Sequence, residues 1–108
     1  MSSISTHVLD TARGMPAAGV AVVLEAQAGE GWREIGRSMT DGDGRVRTFA
    51  APGELLAAGS YRLRFDTAAY QAGFYPEVVI TFTVGEVAQH YHVPLLLSPF
   101  GYSTYRGS

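Results

Sequence analysis

The groups with which this chain could do chemistry sit at three places. His7 lies near the start, Arg45 follows an Asp41-Gly42-Asp43-Gly44 run, and His90 and His92 precede a closing Tyr105-Arg106-Gly107-Ser108. An imidazole gains and loses protons close to neutral pH, which suits it to activate water. An arginine stays charged and presents several N–H donors in one plane, which suits it to a carbonyl or a developing oxyanion. Ser108 offers a hydroxyl and the terminal carboxylate, either of which could orient a histidine or a water. A nucleophilic serine is less favoured, because no His-Asp pair is evident to activate it. Three histidines also suggest zinc, with His90 and His92 two residues apart on one strand face. No carboxylate lies close in sequence to either as a supporting partner, so no metal and no cofactor is expected.

Composition narrows the substrate. The chain has 108 residues, 46% of them hydrophobic and 17% charged, with a net charge of −2. One domain spanning residues 1–108 is expected, burying roughly 65% of the surface that the unfolded chain exposes. With no basic run, neither nucleic acid nor an anionic membrane surface is an expected partner, and a small molecule is. There are no cysteines, so disulfides and thiolate chemistry are excluded. The first residues lack the charged and apolar regions of a leader, and no run reaches the roughly 18 apolar residues of a membrane helix. A cytoplasmic protein is expected.

Short alternating segments must position these groups. Strands are predicted over 4–11, 19–27, 32–40, 46–50, 60–66 and 77–84, with a final strand running from His90 past Leu97. A two-turn helix is predicted over Pro52–Gly59, and Phe74-Tyr75-Pro76 closes a loop. Six to eight strands with one short helix describe a mainly β, two-sheet sandwich. The Asp41–Arg45 segment reads as a tight turn; an EF-hand would need glycine at its sixth position and glutamate at its twelfth, and neither is there.

In the last strand Tyr91, Val93, Leu95 and Leu97 share the face toward the core, which turns His90, His92, Pro94 and Leu96 outward. On the first strand the same alternation turns Val8 inward and His7 and Leu9 outward. A face that mixes histidines with Leu9, Pro94 and Leu96 is suited to cover by a second subunit, with a pocket formed between subunits. Any one of these histidines read alone is an ordinary surface or hydrogen-bonded residue. Their convergence on two strands is what favours a site.

Ser5-Thr6-His7-Val8-Leu9-Asp10, Thr40-Asp41-Gly42-Asp43-Gly44-Arg45, and His90-Tyr91-His92-Val93-Pro94-Leu95-Leu96-Leu97-Ser98-Pro99 with the closing Tyr105-Arg106-Gly107-Ser108 together resemble the 5-hydroxyisourate hydrolases of the transthyretin-like family. The resemblance covers essentially the whole chain. The closing tetrapeptide and the Leu-Leu-Leu-Ser-Pro run are its most specific parts, and they separate the hydrolases from transthyretin, the hormone carrier. It implies a transthyretin-like β-sandwich assembled as a homotetramer, with active sites in a channel between dimers. It implies hydrolysis of 5-hydroxyisourate in urate degradation, with His7, Arg45, His92 and Ser108 catalytic and with His7, Arg45 and Tyr105 binding substrate. His90 stands beside this set without an assigned role. The rival reading is a carrier that holds an apolar or aromatic ligand in the same channel and has no need of the histidines or of Arg45.

Overall fold

Strands with alternating apolar residues each bury one face, and in the computed structural model they do so as two sheets that share one core. The structure describes residues 3–49, 56–86 and 88–107. In chain order these form β1 (Ser3–Asp10), β2 (Met15–Pro16), β3 (Ala21–Ala28), β4 (Gly31–Met39), β5 (Arg45–Val46), β6 (Gly59–Phe65), α1 (Thr67–Tyr70), β7 (Val78–Val84), β8 (His90–Ser98) and β9 (Gly101–Thr104). One sheet runs β2-β1-β8-β9, with β5 also paired to β1; the other runs β4-β3-β6-β7.

The core lies between them. Ile4, Val8, Leu95 and Leu97 of the first sheet and Val22, Leu24, Leu63, Phe65 and Val78 of the second are almost wholly buried. Each such side chain favours the folded state by about 1.5–3 kcal/mol of transfer free energy. Because β1 and β8 commit alternate residues to this core, their remaining residues are forced onto the sheet's outer face. That is where the polar chemistry collects.

The pairing of β1 with β8 is parallel, matching Ser3 with His90, Ser5 with His92 and His7 with Pro94; every other strand pair is antiparallel. Parallel neighbours in register show the same face at the same level, so the outward residues of the two strands stand side by side.

The predicted helix over 52–59 falls partly outside the described residues, and its described part, 56–59, is not helical. Residues 52–55 lie outside the described residues, Leu56 sits in an isolated bridge, and Gly59 already opens β6. The helix follows β6 instead, in the stretch read as a loop. Its start is an N-cap: the Asp66 carboxylate accepts from the Ala69 N–H at 3.2 Å. Tyr70 then donates from its hydroxyl to the buried Asp10 at 2.7 Å, tying α1 to β1. The strand predicted over 46–50 is only the two-residue β5, with residue 50 outside the described set.

Candidate active site

The Asp41–Arg45 turn is built to deliver Arg45. The Asp41 side chain accepts from the backbone N–H groups of Asp43 and Arg45, both at 2.9 Å. The Arg45 N–H holds the Asp41 carboxyl below its ordinary value, against a smaller desolvation effect. Gly44 adopts φ +76°, and a Cβ there would stand 2.4 Å from the Val8 carbonyl oxygen. Only glycine lets the turn lie this close to β1. The Val8 N–H donates to the Gly44 carbonyl at 2.7 Å, which locks that approach. Antiparallel pairing then sets Arg45 directly against His7.

His7 is oriented by the same turn, through a 2.8 Å contact between its Nε2 and the Asp43 carbonyl oxygen. A carbonyl can only accept, so Nε2 carries a proton, and in the neutral ring Nδ1 is the basic nitrogen. His92, two strands from Arg45, contacts the Ser5 hydroxyl with its Nδ1 at 2.8 Å. Its Nε2 has no hydrogen-bond partner among the described residues. Burial lowers the His92 pKa from 6.5, and the positive charges of Arg45, His7 and His90 lower it further. This ring is therefore neutral at neutral pH, as a general base must be.

A cleft of about 240 Å³ opens over these strands, with Ser5, Arg45, Arg47, His90 and His92 among its walls. Arg47 belongs to it because alternation returns its side chain to the face of Arg45. That signal was present in the Arg45-Val46-Arg47 spacing and went unread. Ser5 also went unread, since nothing in sequence spacing shows which hydroxyl a parallel register will place between two imidazoles.

The tail runs beside β8 on the edge away from β1. The Gly107 N–H donates to the His92 carbonyl at 2.8 Å, and the Thr104 hydroxyl donates to the Pro94 carbonyl at 2.6 Å. Pro94, although on the outer face, is buried. Arg106 anchors the tail through the Gln89 side-chain oxygen at 2.9 Å and through the Tyr91 ring, whose centroid lies 4.8 Å away.

His7, Arg45 and His92 stand on one face of the sheet, with Arg45 and His92 in the cleft wall and His7 beside it, paired with Arg45. Tyr105 lies elsewhere: it is exposed and lines a second groove, of about 330 Å³, between β7 and the tail, which it shares with His92. Ser108 lies outside the described residues. Among the described residues no three histidine, aspartate or glutamate side chains are grouped so as to hold a metal ion.

The lowered pKa of His92 has a measurable consequence. Protonation of a base in the free enzyme sets the acid limb of kcat/KM, so that limb should fall below pH 6.5, the ordinary imidazole value. A limb at or above 6.5 would show that the proton taken up is not held on His92. The sign for stability follows. The unfolded chain takes up this proton at higher pH than the folded one, so stability should decline as pH drops below 6.5 toward the folded value.

Residues 4–107 match the model of the HIUase/Transthyretin family. A 5-hydroxyisourate hydrolase of Caulobacter vibrioides is 47% identical over 117 residues, covering 100% of both chains. Among solved structures, Klebsiella pneumoniae 5-hydroxyisourate hydrolase superposes with a TM-score of 0.85 at 35% identity, covering 98% of this chain and 99% of its own. Sea bream transthyretin in complex with thyroxine superposes with a TM-score of 0.88 at 32% identity, covering 96% and 93%. A hydrolase and a hormone-binding protein share this backbone equally well, so side chains must tell them apart.

Proposed function

The chain belongs to the HIUase/Transthyretin family, and from that membership we propose that it hydrolyses 5-hydroxyisourate, opening the six-membered ring to 2-oxo-4-hydroxy-4-carboxy-5-ureidoimidazoline. The observation that carries this reading is the meeting of His92, His7 and Arg45 on one outer sheet face. A carrier of apolar ligands has no need of that meeting.

In the proposed mechanism His92 takes a proton from water through Nε2 as the water oxygen attacks the cyclic amide carbonyl. The carbonyl carbon–nitrogen bond then breaks, and the leaving nitrogen takes up the proton that the imidazole had accepted, which restores the base. Arg45 holds the oxyanion that forms between these steps. His7, charged or neutral, has Nε2 occupied by the Asp43 carbonyl and handles protons through Nδ1. Tyr105 contributes to substrate binding from the neighbouring groove, and Ser108 orients His92 or the water.

We assign a homotetramer to this enzyme on two grounds. The half-buried Leu9 and Leu96 lie on the site's own face, and both sheets end in open edges at β7 and β9, which sheet proteins tend to cover. A cytoplasmic setting goes with the cysteine-free composition.

The test is direct. When 5-hydroxyisourate is generated from urate, its ultraviolet absorbance should decay faster with this protein present than without it. An unchanged decay would sink the reading and favour the carrier.

A further inference from the structure

Four side chains on the outer face form an unbroken hydrogen-bonded line. The Ser3 hydroxyl contacts His90 Nδ1 at 2.5 Å, His90 Nε2 contacts the Ser5 hydroxyl at 2.7 Å, and that same hydroxyl contacts His92 Nδ1 at 2.8 Å. The parallel register produces it: Ser3 and Ser5 alternate on β1 opposite His90 and His92 on β8. Ser5 is only 8% exposed, so water has little access to the central link.

A serine hydroxyl has one proton to give and lone pairs to accept with. Ser5 cannot donate to both imidazoles. If it donates to His92, then His90 must donate to it; if it donates to His90, then His92 must. If both rings donate, the Ser5 proton lies outside the line; in the other two arrangements the tautomers of the two rings are tied together. Should His92 use Nε2 as the base, its own proton sits on Nδ1, Ser5 accepts that proton and donates to His90 Nε2, and His90 Nδ1 donates to Ser3.

We propose that Ser5 is a positioning residue that couples His92 to His90, so that the two imidazoles hold the catalytic proton as one unit. This rests on His92 being the base in the hydrolysis proposed above. When Nε2 of His92 gains a proton from water, its Nδ1 proton moves to Ser5 and the Ser5 proton moves to His90 Nε2. His92 is left neutral with its proton on Nε2, and His90 becomes the imidazolium with both nitrogens protonated. One proton enters and none is lost. The charge ends on the exposed ring of the pair, where solvent stabilises it better. Around His92 the facing groups are His7 from β1, Arg45 from β5 and His90 from β8, all of which oppose a charge held there. Tyr105 and Arg106 of the tail share its second groove.

The coupling is tested with Ser5→Ala, Ser5→Thr, His90→Gln and the double variant Ser5→Ala/His90→Gln. Ser5→Ala should lower kcat about 10- to 10²-fold with KM within about twofold, in the range typical of a residue that orients an active group. Ser5→Thr, which keeps the hydroxyl, should recover most of it. The double variant should be no slower than Ser5→Ala alone, because both changes cut one path. Effects that multiply would overturn the coupling, as would full kcat in Ser5→Ala. Imidazole ¹⁵N resonances of the unmodified protein, recorded without substrate, provide a reading that needs neither activity nor a variant that folds. Neutral His92 should carry its proton on Nδ1, and a proton on Nε2 would overturn the proposal. Failure of the unmodified protein to consume 5-hydroxyisourate would instead count against the function, and the two failures are distinguishable.

Discussion

Replacing His92 with alanine should lower kcat at least about 10²-fold, the lower end of what a positioned general base contributes, while the melting temperature moves little. The side chain is only half-buried and stands on the outer face of β8, so its loss opens no cavity in the core. What is lost is the one imidazole whose charge is opposed by burial and by Arg45, His7 and His90 together. KM should change far less than kcat, because proton transfer belongs to the transition state and not to ground-state binding. Steady-state kinetics beside a thermal melt decide it. Near-normal turnover would remove His92 from the mechanism and leave His7 as the base.

Gly107→Ala should cost on the order of 10²-fold in kcat, the scale on which a displacement of about 1 Å in an active site is felt. A Cβ at Gly107 would lie 2.4 Å from His92 Cδ2, 3.2 Å from its Cγ and 3.3 Å from Pro94 Cγ. No left-handed backbone angle is involved, since Gly107 is absent from the positive-φ glycines, so the effect is steric. Something must give. Either the ring leaves its Ser5 contact or the tail surrenders its hydrogen bond to the His92 carbonyl. The tail lies outside the core, so the melting temperature should hold within a few degrees. The comparison of kcat with the melt is again the measurement, and an active Gly107→Ala would show that the tail does not set the ring's position.

Much of the site was legible in the sequence because strand alternation is a strict rule. With Tyr91, Val93, Leu95 and Leu97 turned to the core, His92 could only face out, and Ile4 and Val8 did the same for His7. The Asp41–Arg45 turn was legible for a similar reason, since its aspartate and glycine chemistry is local. The links between strands were not. The Ser5 contact depends on the β1–β8 register and the Gly107 contact on where the tail folds back, and neither leaves a periodic trace. α1 was missed because four residues are too few for a 3.6-residue period to appear, although Asp66 supplied a readable cap. β9 was missed because no strand was read after the one that carries Leu97, although Ser98-Pro99-Phe100-Gly101 holds turn residues.

The parallel union of β1 and β8 also bears on how the molecule comes to life. The hydroxyl of Ser5 meets imidazoles 85 and 87 residues further along the chain, and contacts so distant in sequence are entropically costly to close and tend to form slowly. The proton path therefore has no local precursor that a partly folded molecule could use. On the proposed proton path, catalytic competence requires the two ends of the chain to have met.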